Sequence, residues 1–219
     1  MAGVSAPVPD AAFPADPYPG AVPPWSFVHV DGQAHPLPDD RTALREHGTG
    51  RLPVLAYGSN RCPSKITWLR DVLGLGPEPV IVLRAQTTGI AAVWASGLRA
   101  RDGARPAVLA AAPGAVEEHA VWLATPAQIA VLDTCEGRDV RFRLARLCSG
   151  TVEVGGIPIA APLAYLGHAP GRRPLLVNGA PVRCADVPQA EALALQGDVA
   201  GTDRLVADTI VGVPSALRG

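Results

Sequence analysis

Two short segments of this chain carry residue types that could do chemistry together. The first is Tyr57-Gly58-Ser59-Asn60, followed by Arg61. Glycine admits backbone conformations that other residues avoid, and this turn stands between a strand and a helix. N–H groups at a helix start converge, and the helix dipole favours negative charge there, so a carboxylate fits. Arg61 could meet an acidic substrate group or lie as an isolated surface cation. The second segment is Leu132-Asp133-Thr134-Cys135-Glu136-Gly137. A carboxyl group at a helix end that is desolvated in a cavity has a raised pKa, so it can shuttle protons near neutral pH. The alternative for Glu136 is a solvated helix end, or pairing with Arg138, Arg141 or Arg143.

The elements that must position these residues follow from periodicity. The apolar run Pro53-Val54-Leu55-Ala56-Tyr57 predicts a buried strand that stops at the glycine turn. Pro63 fits a first helical turn, and Ile66, Leu69, Val72 and Leu73 recur at helical spacing. Thr125-Pro126-Ala127-Gln128 reads as a capping box with proline at the first helical position, starting the helix that runs out at Glu136. Short strands are expected at 80–83, 89–94, 107–112, 120–123, 142–147, 151–154 and 162–166. Further helices are expected at 39–47, near 188–196 and near 203–211. Many short strands with scattered helices argue for an α+β domain over residues 25–219, not a doubly wound sheet. Residues 1–24 are rich in proline and alanine and read as an extended or disordered arm.

The ordered pair of segments resembles the gamma-glutamylcyclotransferase-like family. That family opens with a strand leading into Y-G-S-N, matched by Tyr57 to Asn60. Its catalytic glutamate follows well downstream in an L-D-x-x-E-G segment, matched by Leu132, Asp133, Glu136 and Gly137. The resemblance covers residues 52–196. It implies a small mixed β-barrel flanked by helices. It also implies attack of a substrate's α-amine on its γ-carbonyl, releasing 5-oxoproline and an amine. Glu136 would be the general acid and base, the Gly58-Ser59-Asn60 turn would bind substrate, and no metal or cofactor would be required. The chain departs from the pattern at Phe142, near where members often carry tyrosine, and at Arg61-Cys62, where a hydrophobic residue is common.

Composition bounds the rest. The chain has 219 residues, of which 48% are hydrophobic and 18% charged. That is enough apolar side chain for a sizeable core. The net charge of −1 gives no footing for a nucleic-acid partner, and no dinucleotide or P-loop glycine pattern occurs. No apolar window is long enough for a membrane helix, and nothing at the N-terminus reads as a secretory signal, so a cytoplasmic protein is expected. Cys62, Cys135, Cys148 and Cys184 form no C-x-x-C pair, which disfavours zinc and suits a reducing compartment. Lys65 is the sole lysine among 19 basic residues. The expected partner is a small molecule bearing a carboxylate. Two other readings stand beside the enzyme: different amide chemistry on the same scaffold, and a binding module. In the latter, the arm joins a partner or straps two copies into a homo-oligomer.

Overall fold

The structure, a computed structural model, describes residues 6–214, and its framework is one long β-hairpin. In chain order the elements are β1 (Val8–Pro9), β2 (Phe27–Val30), β3 (Gln33–Pro36), α1 (Asp40–His47), β4 (Leu52–Ala56), α2 (Pro63–Leu73), β5 (Val80–Trp94), β6 (Ala107–Ala124) and α3 (Pro126–Glu136). There follow β7 (Phe142–Leu147), β8 (Thr151–Val154), β9 (Ile157–Pro158), β10 (Leu163–Gly167), β11 (Leu175–Val177), β12 (Ala180–Pro181), α4 (Gln189–Ala192), β13 (Asp198–Val199) and β14 (Ala207–Thr209). Strands β5 and β6 form the hairpin, paired from Ile81 opposite Leu123 to Trp94 opposite Ala107. Periodicity predicts each of them as two separate strands. Gly89, at φ +79°, instead marks a bulge between Thr88 and Ile90, and the ladder resumes beyond it. A glycine inside a strand commonly serves that purpose.

The main sheet runs β1-β3-β2-β5-β6-β4-β10-β7-β14, with β8 attached to β5 and β9 to β8. All its pairs are antiparallel except β4 with β10. A small second sheet orders β12-β11-β13. The fold is therefore α+β, built on a large and mostly antiparallel sheet. Among the described residues no pairing joins β1 to β14, so the ladder does not close into the small barrel that the resemblance implies.

Strand alternation divides the core. Val54 and Ala56 pack on one side with Ile66 and Leu69 of α2 and with Ile129 and Leu132 of α3. Leu55 and Tyr57 face the other side, with Leu83, Trp94, Leu109 and Val121. Ile66 and Leu69 are fully buried. Each contributes about 1.5–3 kcal/mol relative to exposure. α2 and α3 thus lie against the same side of β4 and touch each other.

Two expectations are corrected. The helix near 203–211 is instead the strand β14, paired with the edge of β7 from Ala207 opposite Leu147 to Thr209 opposite Ala145. An open strand edge offers a backbone ladder that outweighs weak local helix preference. The helix near 188–196 shrinks to α4: beyond it Ala194 and Leu195 bond back three residues to Glu191 and Ala192, and Arg105 takes the carbonyls of Ala192 and Leu195. Over its described residues, the arm expected to be extended or disordered packs on the domain. β1 pairs with β3, and Phe13 packs edge-on against Trp25 with ring centroids 5.9 Å apart. Asp10 is bound by Ser64, Thr67 and His29.

Candidate active site

The chain leaves β4 at Ala56, and Tyr57 and Gly58 carry it into a 3-10 turn, Ser59–Arg61, before α2 begins at Pro63. The first N–H groups of such a turn have no partner inside it. Gly58 leaves room for the arm: a Cβ there would lie 2.9 Å from the hydroxyl oxygen of Tyr18, so a larger residue would have to shift that side chain. Trp122 Nε1 donates to the Asn60 carbonyl at 2.7 Å and holds the turn against β6.

Glu136 arrives from the other direction as the last residue of α3. The expected capping box starts that helix: Thr125 Oγ1 accepts from the Gln128 N–H at 3.2 Å, and Gln128 Oε1 accepts from the Thr125 N–H at 3.1 Å. Gly137 ends it in the left-handed region, at φ +61°, as glycine commonly does at a helix C-terminus. A Cβ at Gly137 would lie 2.7 Å from the Arg141 guanidinium carbon. Arg141 folds back over the helix end, donating from Nη2 to the Cys135 carbonyl at 2.9 Å and from Nε to the Glu136 carbonyl at 3.2 Å. A cation there suits the negative end of the helix dipole.

The two segments meet. Asn60 Nδ2 donates to Glu136 Oε1 at 2.7 Å, across 76 residues of sequence. Asn60 Oδ1 is buried and has no hydrogen-bond partner among the described residues. Both residues line a cavity of about 470 Å³ together with Tyr57, Gly58 and Ser59. Burial pushes the Glu136 carboxyl above its ordinary value, because removing the charged form from water outweighs stabilisation by Asn60, Lys65, Arg141 and Arg99.

Asp133 has a bracing role. Tyr57 donates its hydroxyl to the Tyr165 carbonyl. The Tyr165 hydroxyl donates to Asp133 Oδ1 at 2.7 Å, and Arg138 Nη1 pairs with Asp133 Oδ2 at 2.9 Å. These links tie β4, β10 and α3 together beside the cavity. Burial and the neighbouring Asp133 hold the Tyr165 hydroxyl far above its ordinary pKa, so it stays protonated.

Arg61 does not line the cavity. Its Nη1 turns to the Glu118 carbonyl of β6, 3.1 Å away. Its place is taken by cations that sequence reasoning did not assign to the site: Lys65, Arg99, Arg101, Arg141 and Arg172. Among the described residues, Glu136 is the one carboxylate lining the cavity with them. Lys65 is 7% exposed, with Nζ 3.4 Å from the Trp68 ring centroid, and burial lowers its pKa. A signal for it existed, since it is the single lysine in an arginine-rich chain and sits in the first turn of the helix after the glycine turn. Of the arginines, Arg141 had a signal as a possible partner of Glu136, whereas Arg99 and Arg101, from a loop, and Arg172, from the 3-10 turn Pro170–Arg172, had none. Phe142 also lines the cavity and offers no hydrogen-bond donor.

Among the described residues no group of three or more His, Cys, Asp or Glu side chains is placed to hold a metal ion, and the four cysteines are unpaired. No described helix is long and apolar enough to cross a membrane.

No family model and no curated protein matches the chain. Two solved structures are similar to it. One is the crystal structure, from ensemble refinement, of the uncharacterized Homo sapiens protein loc79017. It is 17% identical with a TM-score of 0.45, over 55% of this chain and 68% of that one. The other is YkqA from Bacillus subtilis, 18% identical with a TM-score of 0.43, over 59% of this chain and 45% of that one.

Proposed function

We propose that this chain is an enzyme of the gamma-glutamylcyclotransferase-like family, cyclising a gamma-glutamyl amide or related small molecule to 5-oxoproline with release of an amine. The observation that carries the reading is the 2.7 Å contact between Asn60 and Glu136 inside a cavity rimmed by cations. A carboxyl group in that setting has the properties of a proton carrier: its pKa is raised, and one oxygen is oriented by an amide.

In this scheme the substrate's α-amine nitrogen attacks its own γ-carbonyl carbon, forming the ring C–N bond. Glu136 takes a proton from that nitrogen. The amide C–N bond then breaks, and Glu136 returns the proton to the departing nitrogen, so no charge is left on the amine. Asn60 Oδ1, lacking a partner, accepts a hydrogen bond from the α-amine and aims it. The N–H groups of the Gly58-Ser59-Asn60 turn hold the substrate's carboxylate or polarise its carbonyl. The surrounding cations attract an anionic substrate and offset the cost of desolvating it. Holding amine and carbonyl in contact supplies much of the acceleration, because the step is intramolecular. The site as proposed works without a metal or cofactor, on a cytoplasmic small molecule bearing a carboxylate.

The test is incubation of purified protein with a panel of gamma-glutamyl amides, following 5-oxoproline. Production with at least one member, lost in Glu136→Gln, is expected. No 5-oxoproline from any member, or unchanged turnover in Glu136→Gln, ends the proposal. Release of a different product would transfer the site to other amide chemistry.

A further inference from the structure

The chain has three tyrosines, all buried and all lining the same cavity. They differ in what their hydroxyl protons do. Tyr57 donates to the Tyr165 carbonyl, and Tyr165 donates to Asp133 Oδ1 at 2.7 Å. Tyr18 is wired the other way round. Its oxygen accepts from the Ala107 N–H at 2.9 Å, and its own proton meets no acceptor among the described residues. A buried hydroxyl in a packed protein ordinarily donates, so an idle proton here marks a place for a ligand atom.

The position is held firmly. The Arg99 guanidinium lies 4.2 Å from the Tyr18 ring centroid, and the Trp94 ring lies 6.4 Å away. The Ala107 N–H holds the oxygen, leaving rotation about the C–O bond to aim the proton. The same oxygen abuts Gly58, 2.9 Å from where a Cβ would stand. It therefore sits beside the turn that the proposed function assigns to substrate. Burial pushes the hydroxyl well above its ordinary pKa, so it stays protonated through the physiological range.

We propose that Tyr18, carried by the proline-rich N-terminal arm, completes the site by donating a hydrogen bond to the substrate oxygen seated at the Gly58-Ser59-Asn60 turn. This rests on the cyclotransferase reading for the identity of the ligand. The arm then belongs to the active site, and its anchorage at Asp10 and Phe13 is what delivers the donor.

Protein labelled with ¹³C at tyrosine Cζ gives three signals, and 5-oxoproline is added as the probe. The signal missing in Tyr18→Phe is expected to shift on addition, while those of Tyr57 and Tyr165, already committed as donors, stay in place. A Tyr18 signal that does not move overturns the inference. This measurement uses the unaltered chain, so it survives if Tyr18→Phe folds poorly, because the Tyr57 and Tyr165 signals can then be assigned from their own phenylalanine variants. Tyr18→Phe is further expected to lower kcat/KM roughly 10- to 100-fold per folded molecule. Wild-type kcat/KM in that variant, in a protein that does turn over, also sinks the role of Tyr18 and leaves the cyclotransferase reading intact. Wild-type protein inert toward the whole panel sinks that reading separately.

Discussion

Arg105 and Glu136 are both charged side chains drawn back from solvent, and their surroundings satisfy them to very different degrees. Arg105 is 5% exposed. Its Nε donates to the Ala192 carbonyl at 2.8 Å, Nη1 to Ala95 and Ser96 at 2.8 and 3.0 Å, and Nη2 to Leu195 at 3.0 Å. Gln189 clasps its backbone on both sides, accepting from the N–H at 3.2 Å and donating to the carbonyl at 3.0 Å. That network is closed, and it ties the C-terminal segment to the hairpin. Around Glu136 the network is open. Among the described residues, one amide contacts the carboxylate, Asn60 Oδ1 and the Tyr18 proton have no partner, and cations outnumber the acid. Unmet polar groups in a buried place cost stability. Under the proposed function, these are the groups that the substrate would satisfy.

The contrast is most exposed to test at Glu136. Glu136→Gln is expected to lower 5-oxoproline formation roughly 100- to 10,000-fold with the fold retained, as measured by steady-state turnover and circular dichroism. Next in size, Arg105→Ala removes the donor for four carbonyls. It is expected to cost roughly 3 kcal/mol or more in urea unfolding, since each buried group left unpaired is costly. If Arg105→Ala melts like the wild type, the closed network is not what holds the C-terminal segment. Gly58→Ala puts a methyl group against the Tyr18 oxygen. Its kcat/KM is expected to fall about 10-fold through misplacement of the turn.

The smallest effect concerns stability and pH. The Glu136 carboxyl has a raised pKa in the folded protein, so the folded state binds a proton more tightly than the unfolded chain. Wild-type stability therefore falls as pH rises from the ordinary value of 4.5 through the folded value. Glu136→Gln lacks that loss. It is expected to melt higher than the wild type at neutral pH, with the gap closing as pH falls toward 4.5. A gap that widens on acidification would mean that the carboxylate is stabilised as an anion.

Local chemistry is readable along the chain. The strand into Gly58, the helix opened by Pro63, the capping box at Thr125 and the helix that runs out at Glu136 all depend on close neighbours in sequence, and the structure has each of them. Where a competing partner lies far away, local reading fails. The segment from Asp203 to Val211 reads as helical, yet the edge of β7 offers Ala207–Thr209 a ladder. The arm's prolines signal extension, and the fold decides which of its aromatics, Tyr18, reaches the cavity. Arg61, next to the turn in sequence, points toward β6, while Arg99 and Arg172 enter the site from loops far along the chain.

By itself, then, the amino-acid order determined the turn, the helix end and the residue types able to move a proton, because propensity, capping and glycine geometry act over short range. Tertiary structure alone decided that Asn60 would touch Glu136, that five cations would gather round them, and that Tyr18 would arrive with its proton unspent. Those outcomes depend on which sheet edges pair and which faces pack, and such long-range choices are made by the whole core at once.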